Sequence, residues 1–293
     1  MADQRDGGIV WTDWTWNPIT GCSKVSQGCK NCYAERQFKR FSGDTGIYAG
    51  RQFTDVRCHE DRLDQPLRWM RPRKIFVNSM SDLFHEDVPD EFIDKVFAVM
   101  ALARHHVFQL LTKRPERMRE YLLAGFRSNR VVDQMLALKA ECGVLPWSGW
   151  REQFAHVWLG VSVEDQATAD ERVPLLLRTP ATIRFVSAEP LLGPVDFTPW
   201  LSMQLTGYPH QTKPQHFRSE ILSLLDWIIV GGESGPKARP MDLDWVRSIR
   251  DQCRASSVPL LVKQLPGSKG KVIKDISLFP ADIQIQEYPH AYS

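Results

Sequence analysis

Three cysteines crowd into one short stretch, Gly21-Cys22-Ser23-Lys24-Val25-Ser26-Gln27-Gly28-Cys29-Lys30-Asn31-Cys32-Tyr33-Ala34-Glu35. Cys29 and Cys32 form a C-x-x-C pair, and Cys22 precedes them across a loop that Gly21 and Gly28 leave free to fold back. Three thiolates can therefore meet at one metal centre. On a four-iron cluster they leave one iron without a protein ligand, and an open metal position is what a cofactor or substrate needs in order to bind. The competing readings are structural zinc, with Cys58 or His59 completing a set of four ligands in a nucleic-acid- or protein-binding module, and a binding module that keeps a cluster without catalysis. A zinc ribbon ordinarily carries a second C-x-x-C pair, which the sequence lacks. Cys58, Cys142 and Cys253 are scattered, so the six cysteines do not make a disulfide framework.

A second set of reactive residues follows short apolar runs. The clusters are Ser79-Met80-Ser81-Asp82, Thr112-Lys113-Arg114, Ser162-Val163-Glu164-Asp165, Ser187-Ala188-Glu189-Pro190, Gly231-Gly232-Glu233-Ser234-Gly235 and Lys263-Gln264. Some members cap helices, Asp165 foremost. A lysine or arginine at 113 and 114 suits the carboxylate of a cofactor or a substrate phosphate. Glu189 and Glu233, if buried, require a partner such as Lys263 or Arg239, and with Lys113 and Lys263 they are the candidates to orient substrate or transfer protons.

The elements that must deliver these groups are legible from periodicity. Apolar runs at 9–16, 74–78, 107–111, 157–161, 182–186, 227–230 and 259–262 predict seven strands buried on both faces, as parallel strands are. Helical periodicity at 90–104, 165–177 and 242–254 supplies crossovers between them. The sum is a partial parallel (β/α) barrel of six to seven strands spanning residues 1–267, with the polar clusters converging at one mouth. Segments 125–153 and 203–220 break the rhythm as insertions, and 268–293 forms a weakly patterned tail. Trp11, Trp14 and Trp16 are read as packing around the first strand.

Composition narrows the class. In 293 residues, 43% hydrophobic and 25% charged positions describe a soluble globular chain, and a formal charge of +2 leaves the partner undecided. No apolar run is long enough for a membrane span and no secretory signal opens the chain, so a cytoplasmic location is expected. No His-x-His pair follows a strand, and neither common phosphate-cradling glycine loop is present.

The stretches TWNPITGCSKVSQGCKNCYAE, FVNSMSDLFHEDVP, FQLLTKRPERM, VWLGVSVEDQ, RFVSAEPLLGPV, DWIIVGGESGPKARPM and VKQLPG resemble the phage Gp37/Gp68 family, also called the three-Cys-motif family. That family is related to radical S-adenosylmethionine enzymes and is most like spore photoproduct lyase. The resemblance implies that S-adenosylmethionine chelates the open iron of a [4Fe-4S] cluster held by Cys22, Cys29 and Cys32. One electron from a donor such as a flavodoxin or ferredoxin would then cleave it to methionine and a 5′-deoxyadenosyl radical, which abstracts hydrogen from a substrate, with a nucleic acid or nucleotide the expected class. On the same analogy Tyr33 lies near the adenine, Ser79 and Asp82 lie where the methionine amino group is recognised, and Ser162 and Glu164 lie where the ribose hydroxyls are held. Six residues separate Cys22 from Cys29, where the superfamily usually has three.

Overall fold

The computed structural model describes residues 8–43, 46, 48–125, 130–138, 153–201, 224–267 and 271–289. Within them, the apolar runs become parallel strands laid side by side in chain order: β1 (Trp14–Trp16), β4 (Lys74–Val77), β5 (Val107–Thr112), β6 (Val157–Val163), β7 (Ile183–Ala188), β8 (Trp227–Gly231) and β9 (Leu260–Pro266). A short β10 (Val272–Ile273) adds antiparallel to β9, and β2 (Ile19–Thr20) pairs with β3 (Arg57–Cys58) in a separate two-stranded ribbon. Seven parallel strands in sequential order, with helices between successive strands, make a partial α/β barrel.

The period of two along each strand divides the sheet into two faces. One face carries Ile75, Val77, Phe108, Leu110, Val161, Val186, Val230 and Val262, which join the large core that includes helices Asp90–Leu102, Gln166–Leu177 and Leu243–Ser256. The other face lines the barrel interior, where Trp158, Ile183, Phe185, Trp227, Ile229 and Leu261 form a separate apolar floor. Helix Gln166–Leu177 starts on Asp165, whose carboxylate accepts from the Thr168 amide while the Thr168 hydroxyl accepts from the Asp165 amide.

The first apolar run does not extend as far as its composition suggests. Residues 9–12 turn, with the Thr12 amide donating to the Ile9 carbonyl at 3.3 Å, and only Trp14–Trp16 pair with β4. The turn drops Trp11 into the barrel, 4.7 Å from the Phe76 ring and 6.3 Å from the Trp227 ring between centroids, so aromatic burial there outweighs continuation of the strand. Trp16 is buried in the outer core and Trp14 packs edge-on against Trp69.

Of the insertion at 125–153, residues Arg130–Leu138 form a helix and 126–129 and 139–152 lie outside the described residues, as does all of 203–220. Beyond 270 the chain fastens to the sheet through β10 and through Tyr288, whose hydroxyl donates to the Val10 carbonyl at 3.2 Å. Among the described residues no helix is long and apolar enough to cross a membrane.

Gly160 shows how tightly the interior is filled. A Cβ there would lie 2.5 Å from the Phe185 ring on the neighbouring strand. Gly160→Ala is expected to destabilise the protein by about 1–3 kcal/mol in urea unfolding, and Phe185→Leu on that background should recover part of the loss. An additive double mutant would show that the two side chains do not compete for the same space.

Candidate active site

Because inner-face residues alternate with outer ones, the interior turns polar where each strand reaches its C-terminal end. Above the apolar floor, β6 presents Ser162 and β7 presents Ser187, in register with each other. Between β8 and β9 the register slips, so that Gly231 faces Gln264 and Lys263 becomes the extra residue of a bulge. That bulge brings both Lys263 and Gln264 to the mouth. The result is a cavity of about 730 Å³ lined by Cys22, Cys29, Cys32, Tyr33, Ser79, Asp82, Lys113, Arg114, Ser162, Glu189, Glu233 and Lys263, over a base of Trp11, Phe76 and Leu111. Of the candidates named from sequence, Glu164, Arg239, Cys58 and His59 do not line it.

Glu164 lies beneath the cysteine loop and has no exposed surface. Its Oε1 accepts from the Ser26 hydroxyl at 2.9 Å, its Oε2 from Arg172 Nη1 at 3.3 Å, and Lys113 Nζ stands 3.8 Å away. Gly28 passes directly over it, and a Cβ on Gly28 would lie 2.2 Å from Oε1. Glu233 holds the other side of the loop. Its Oε2 accepts from Asn31 Nδ2 at 2.9 Å, and Arg239 clamps the same carboxylate with Nη2 2.6 Å from Oε1 while also reaching the Gln27 carbonyl at 3.0 Å. Burial opposes ionisation of Glu233, but the hydrogen bonds from Arg239 and Asn31 outweigh it and hold the carboxyl below its ordinary value. Arg36 adds a third tie, from Nη2 to the Ser234 hydroxyl at 3.0 Å.

The Cys22 end is fixed from β4 and β5. Gly21 adopts φ +96°, a region glycine reaches without strain, and its amide donates to the Met80 carbonyl at 3.1 Å. Asp82 is occupied by the protein, accepting from the Thr112 hydroxyl at 2.8 Å and from the Phe84 and Lys113 amides at 3.0 Å each. Arg114 donates to Glu86 Oε2 at 3.0 Å, Asp82 Oδ2 at 3.3 Å, Ser23 Oγ at 2.7 Å and the Cys22 sulfur at 3.7 Å. His85 Nδ1 accepts from the Asp87 amide, which leaves Nε2 to donate to the same Ser23 hydroxyl at 2.8 Å. Burial, with the Asp82 charge nearby, pushes the Cys22 thiol up to about 12 despite the Arg114 charge, so a metal bound there would have to displace its proton.

On another wall, Lys263 Nζ lies 2.6 Å from each oxygen of Glu189, and Gln264 Nε2 donates to Glu189 Oε1 at 3.0 Å. Tyr33, the first residue of helix Tyr33–Arg40, stands half exposed at the rim. Ser79 accompanies Asn17, to whose Oδ1 its hydroxyl donates at 3.2 Å.

The three loop cysteines form no disulfide and line the cavity wall partly buried, a donor set that fits a cluster with one iron left open. A cluster offers each thiolate its own iron. The described cysteines outside the loop do not join it: Cys58 pairs in β3 and packs against the core, and Cys253 is buried in helix Leu243–Ser256. His59 Nε2 bonds the Thr20 hydroxyl at 2.8 Å.

Ser26, Asn31, Arg36, His85, Glu86 and Arg172 were not singled out from sequence. Asn31 sits inside the C-x-x-C pair and Ser26 inside the loop, which is the one local signal available. Their partners lie 202 and 138 positions away.

Gly28→Ala tests the clearance under the loop. Glu164 is pinned by Arg172 and Ser26, so the loop must rise rather than the carboxylate retreat; iron bound per chain after reconstitution is expected to drop several-fold with the fold retained. Full iron loading in Gly28→Ala would show that the loop is not seated on Glu164.

No curated protein matches the chain. The structure is similar to two solved structures of spore photoproduct lyase, one a cysteine-to-serine mutant and one complexed with dinucleoside spore photoproduct. Each is 12% identical, with TM-scores of 0.43 and 0.44, covering 93% and 92% of this chain and 70% of that chain. Residues 6–277 match the family described as "Protein of unknown function (DUF5131)", and the chain belongs to that family.

Proposed function

We propose that this chain is a radical S-adenosylmethionine enzyme in which Cys22, Cys29 and Cys32 each donate a thiolate to a [4Fe-4S] cluster. One observation carries the reading: three thiols on one tethered loop face a cavity into which successive parallel strands deliver polar side chains. The sequence resemblance to the three-Cys-motif family supports the same chemistry. When bound, the cluster and S-adenosylmethionine supply one-electron cleavage of a sulfonium and a carbon radical able to abstract hydrogen.

The chain's own residues position that chemistry. Arg114, immobilised by Asp82, Glu86 and Ser23, directs an N–H at the Cys22 sulfur, and such donors set the potential of a thiolate-bound cluster. Glu164 and Glu233 act as positioning residues for the loop. Tyr33 at the rim offers a ring face for adenine, and the hydroxyls of Ser79 and Ser162 face the cavity for the polar ends of the cofactor. Lys113 and the Lys263–Glu189 pair line the remaining wall, where Lys263 Nζ stands 2.6 Å from both Glu189 oxygens in reach of a substrate. Trp11, Phe76 and Leu111 keep water from the base of the site. The substrate class that fits is a nucleotide or nucleic acid, through cations at the mouth.

Reconstitution with iron and sulfide without oxygen tests this reading. The wild type is expected to be brown, to hold about four irons per chain, and to release 5′-deoxyadenosine from S-adenosylmethionine under reduction. Replacing Cys22, Cys29 or Cys32 singly by alanine should abolish both the iron and the cleavage. A colourless protein holding zinc, or a brown one that leaves S-adenosylmethionine intact, overturns the proposal.

A further inference from the structure

The cysteine loop has an outer side as well as an inner one. Cys22, Cys29 and Cys32 line the cavity, whereas Lys24, Gln27 and Lys30 are exposed. Two further segments continue this outer surface. Helix Tyr33–Arg40 follows the loop directly, and Glu35 on it meets Lys24 at 3.1 Å and Lys39 at 2.7 Å. Residues 233–240 adjoin the loop through Asn31 Nδ2, which donates to the Lys237 carbonyl at 2.9 Å, and are tied to the helix by Arg36 and Ser234.

Positive charge is concentrated here. Residues 22–40 and 233–240 together carry seven lysines and arginines against two acids, Glu35 and Glu233, in a chain whose formal net charge is only +2. Both acids are already engaged, Glu233 by Arg239 and Asn31, and Glu35 by two lysines at once. Lys30 and Lys237 are exposed and meet no acid among the described residues. Val25 and Phe41, 45% and 46% exposed, add apolar area to the same surface.

We propose that this surface docks a small acidic one-electron carrier protein that reduces the cluster. The proposal rests on the cluster reading, which requires one electron for each sulfonium cleaved. The reduced carrier loses that electron and the cluster gains it, with no atom transferred. Lys30 stands between Cys29 and Cys32 in a chain whose successive Cα atoms are about 3.8 Å apart, so a carrier seated on Lys30 approaches two of the three sulfurs through the thickness of the loop. Electron tunnelling falls exponentially with distance, and this approach leaves the cavity to cofactor and substrate. Lysines around a small apolar area give steered encounter and ready release, as a carrier that must leave after each transfer needs. A nucleic acid suits the surface less well. Of its three arginines, Arg36 and Arg239 are spent on Ser234 and Glu233, and Arg40 lies over the Phe41 ring at 5.7 Å.

Titration of the reconstituted protein with a flavodoxin, a [2Fe-2S] ferredoxin and a short single-stranded oligonucleotide tests the surface by binding alone. At least one carrier is expected to bind at low salt and to weaken several-fold between about 50 and about 200 mM salt. Lys39→Glu and Lys237→Glu should each weaken it by about threefold to tenfold, with wild-type iron content. Arg71→Glu makes the same change of charge on an exposed residue ahead of β4, at the opposite end of the barrel, and should stay within about twofold of wild type. Carrier-driven release of 5′-deoxyadenosine should slow in Lys39→Glu and Lys237→Glu, while release driven by dithionite holds at the wild-type level. No binding of either carrier, equal weakening by Arg71→Glu, unchanged binding in both lysine variants, or an oligonucleotide that binds tighter than both carriers and is lost in those variants overturns the docking surface. If the wild type releases no 5′-deoxyadenosine even with dithionite, the radical reading fails, and the binding measurements still decide the surface.

Discussion

Everything at this barrel mouth depends on two buried carboxylates that find their partners in a loop far away in sequence. A carboxylate cannot be taken out of water without compensation, and Glu164 obtains it from Ser26, Arg172 and Lys113. Glu233 obtains it from Arg239 and Asn31. Both acids sit on the continuations of inner strands, so meeting their demand for hydrogen bonds simultaneously fixes where the cysteine loop lies. The loop has few apolar contacts of its own and no regular structure beyond a single 3-10 turn at Gln27–Cys29. Its order is borrowed from the strands beneath it.

The same strands make the site and exclude water from its base. Alternation gives each strand one row pointing inward, and that row changes character once along its length: Trp158, Gly160, Ser162 on β6 and Ile183, Phe185, Ser187 on β7. The aromatic residues of the floor demand space, which Gly160 concedes to Phe185 and which the turn at residues 9–12 fills with Trp11. Above that level the chain reaches solvent, and small hydroxyls and charged groups replace rings. A single sheet therefore supplies an apolar base and a polar rim.

Much of this was readable from the chain alone, for a physical reason. Continuous apolar runs mark strands covered on both faces, and each of the seven runs contains a parallel strand, in chain order, the first only over its last three residues. Trp11 was read as packing around a strand; it packs inside the barrel after a turn, because a tryptophan in an apolar run reports burial and not backbone conformation. The tail carried too weak a pattern to assign, and its β10 has only two residues, half buried. Acidic and basic residues after strands were legible as a set, but their division of labour was not. Asp82, Arg114, Glu164 and Glu233 all look like ligand-binding groups on spacing alone, and only three-dimensional neighbours show that each is engaged by protein atoms.

That division follows from geometry of the cations. Arg114, Arg172 and Arg239 are held in fixed orientations by two or more acceptors each, which suits a planar fork whose several donors can be satisfied at once. Lysine has a flexible stem and a point charge, so it is poorly suited to fixing a loop and well suited to meeting a ligand that arrives later. Lys113, Lys263 and Lys274 are, among the described residues, the lysines on the cavity wall, and Lys263 meets the Glu189 carboxylate there. The planar cations build the site, and the lysines face the cavity that it encloses.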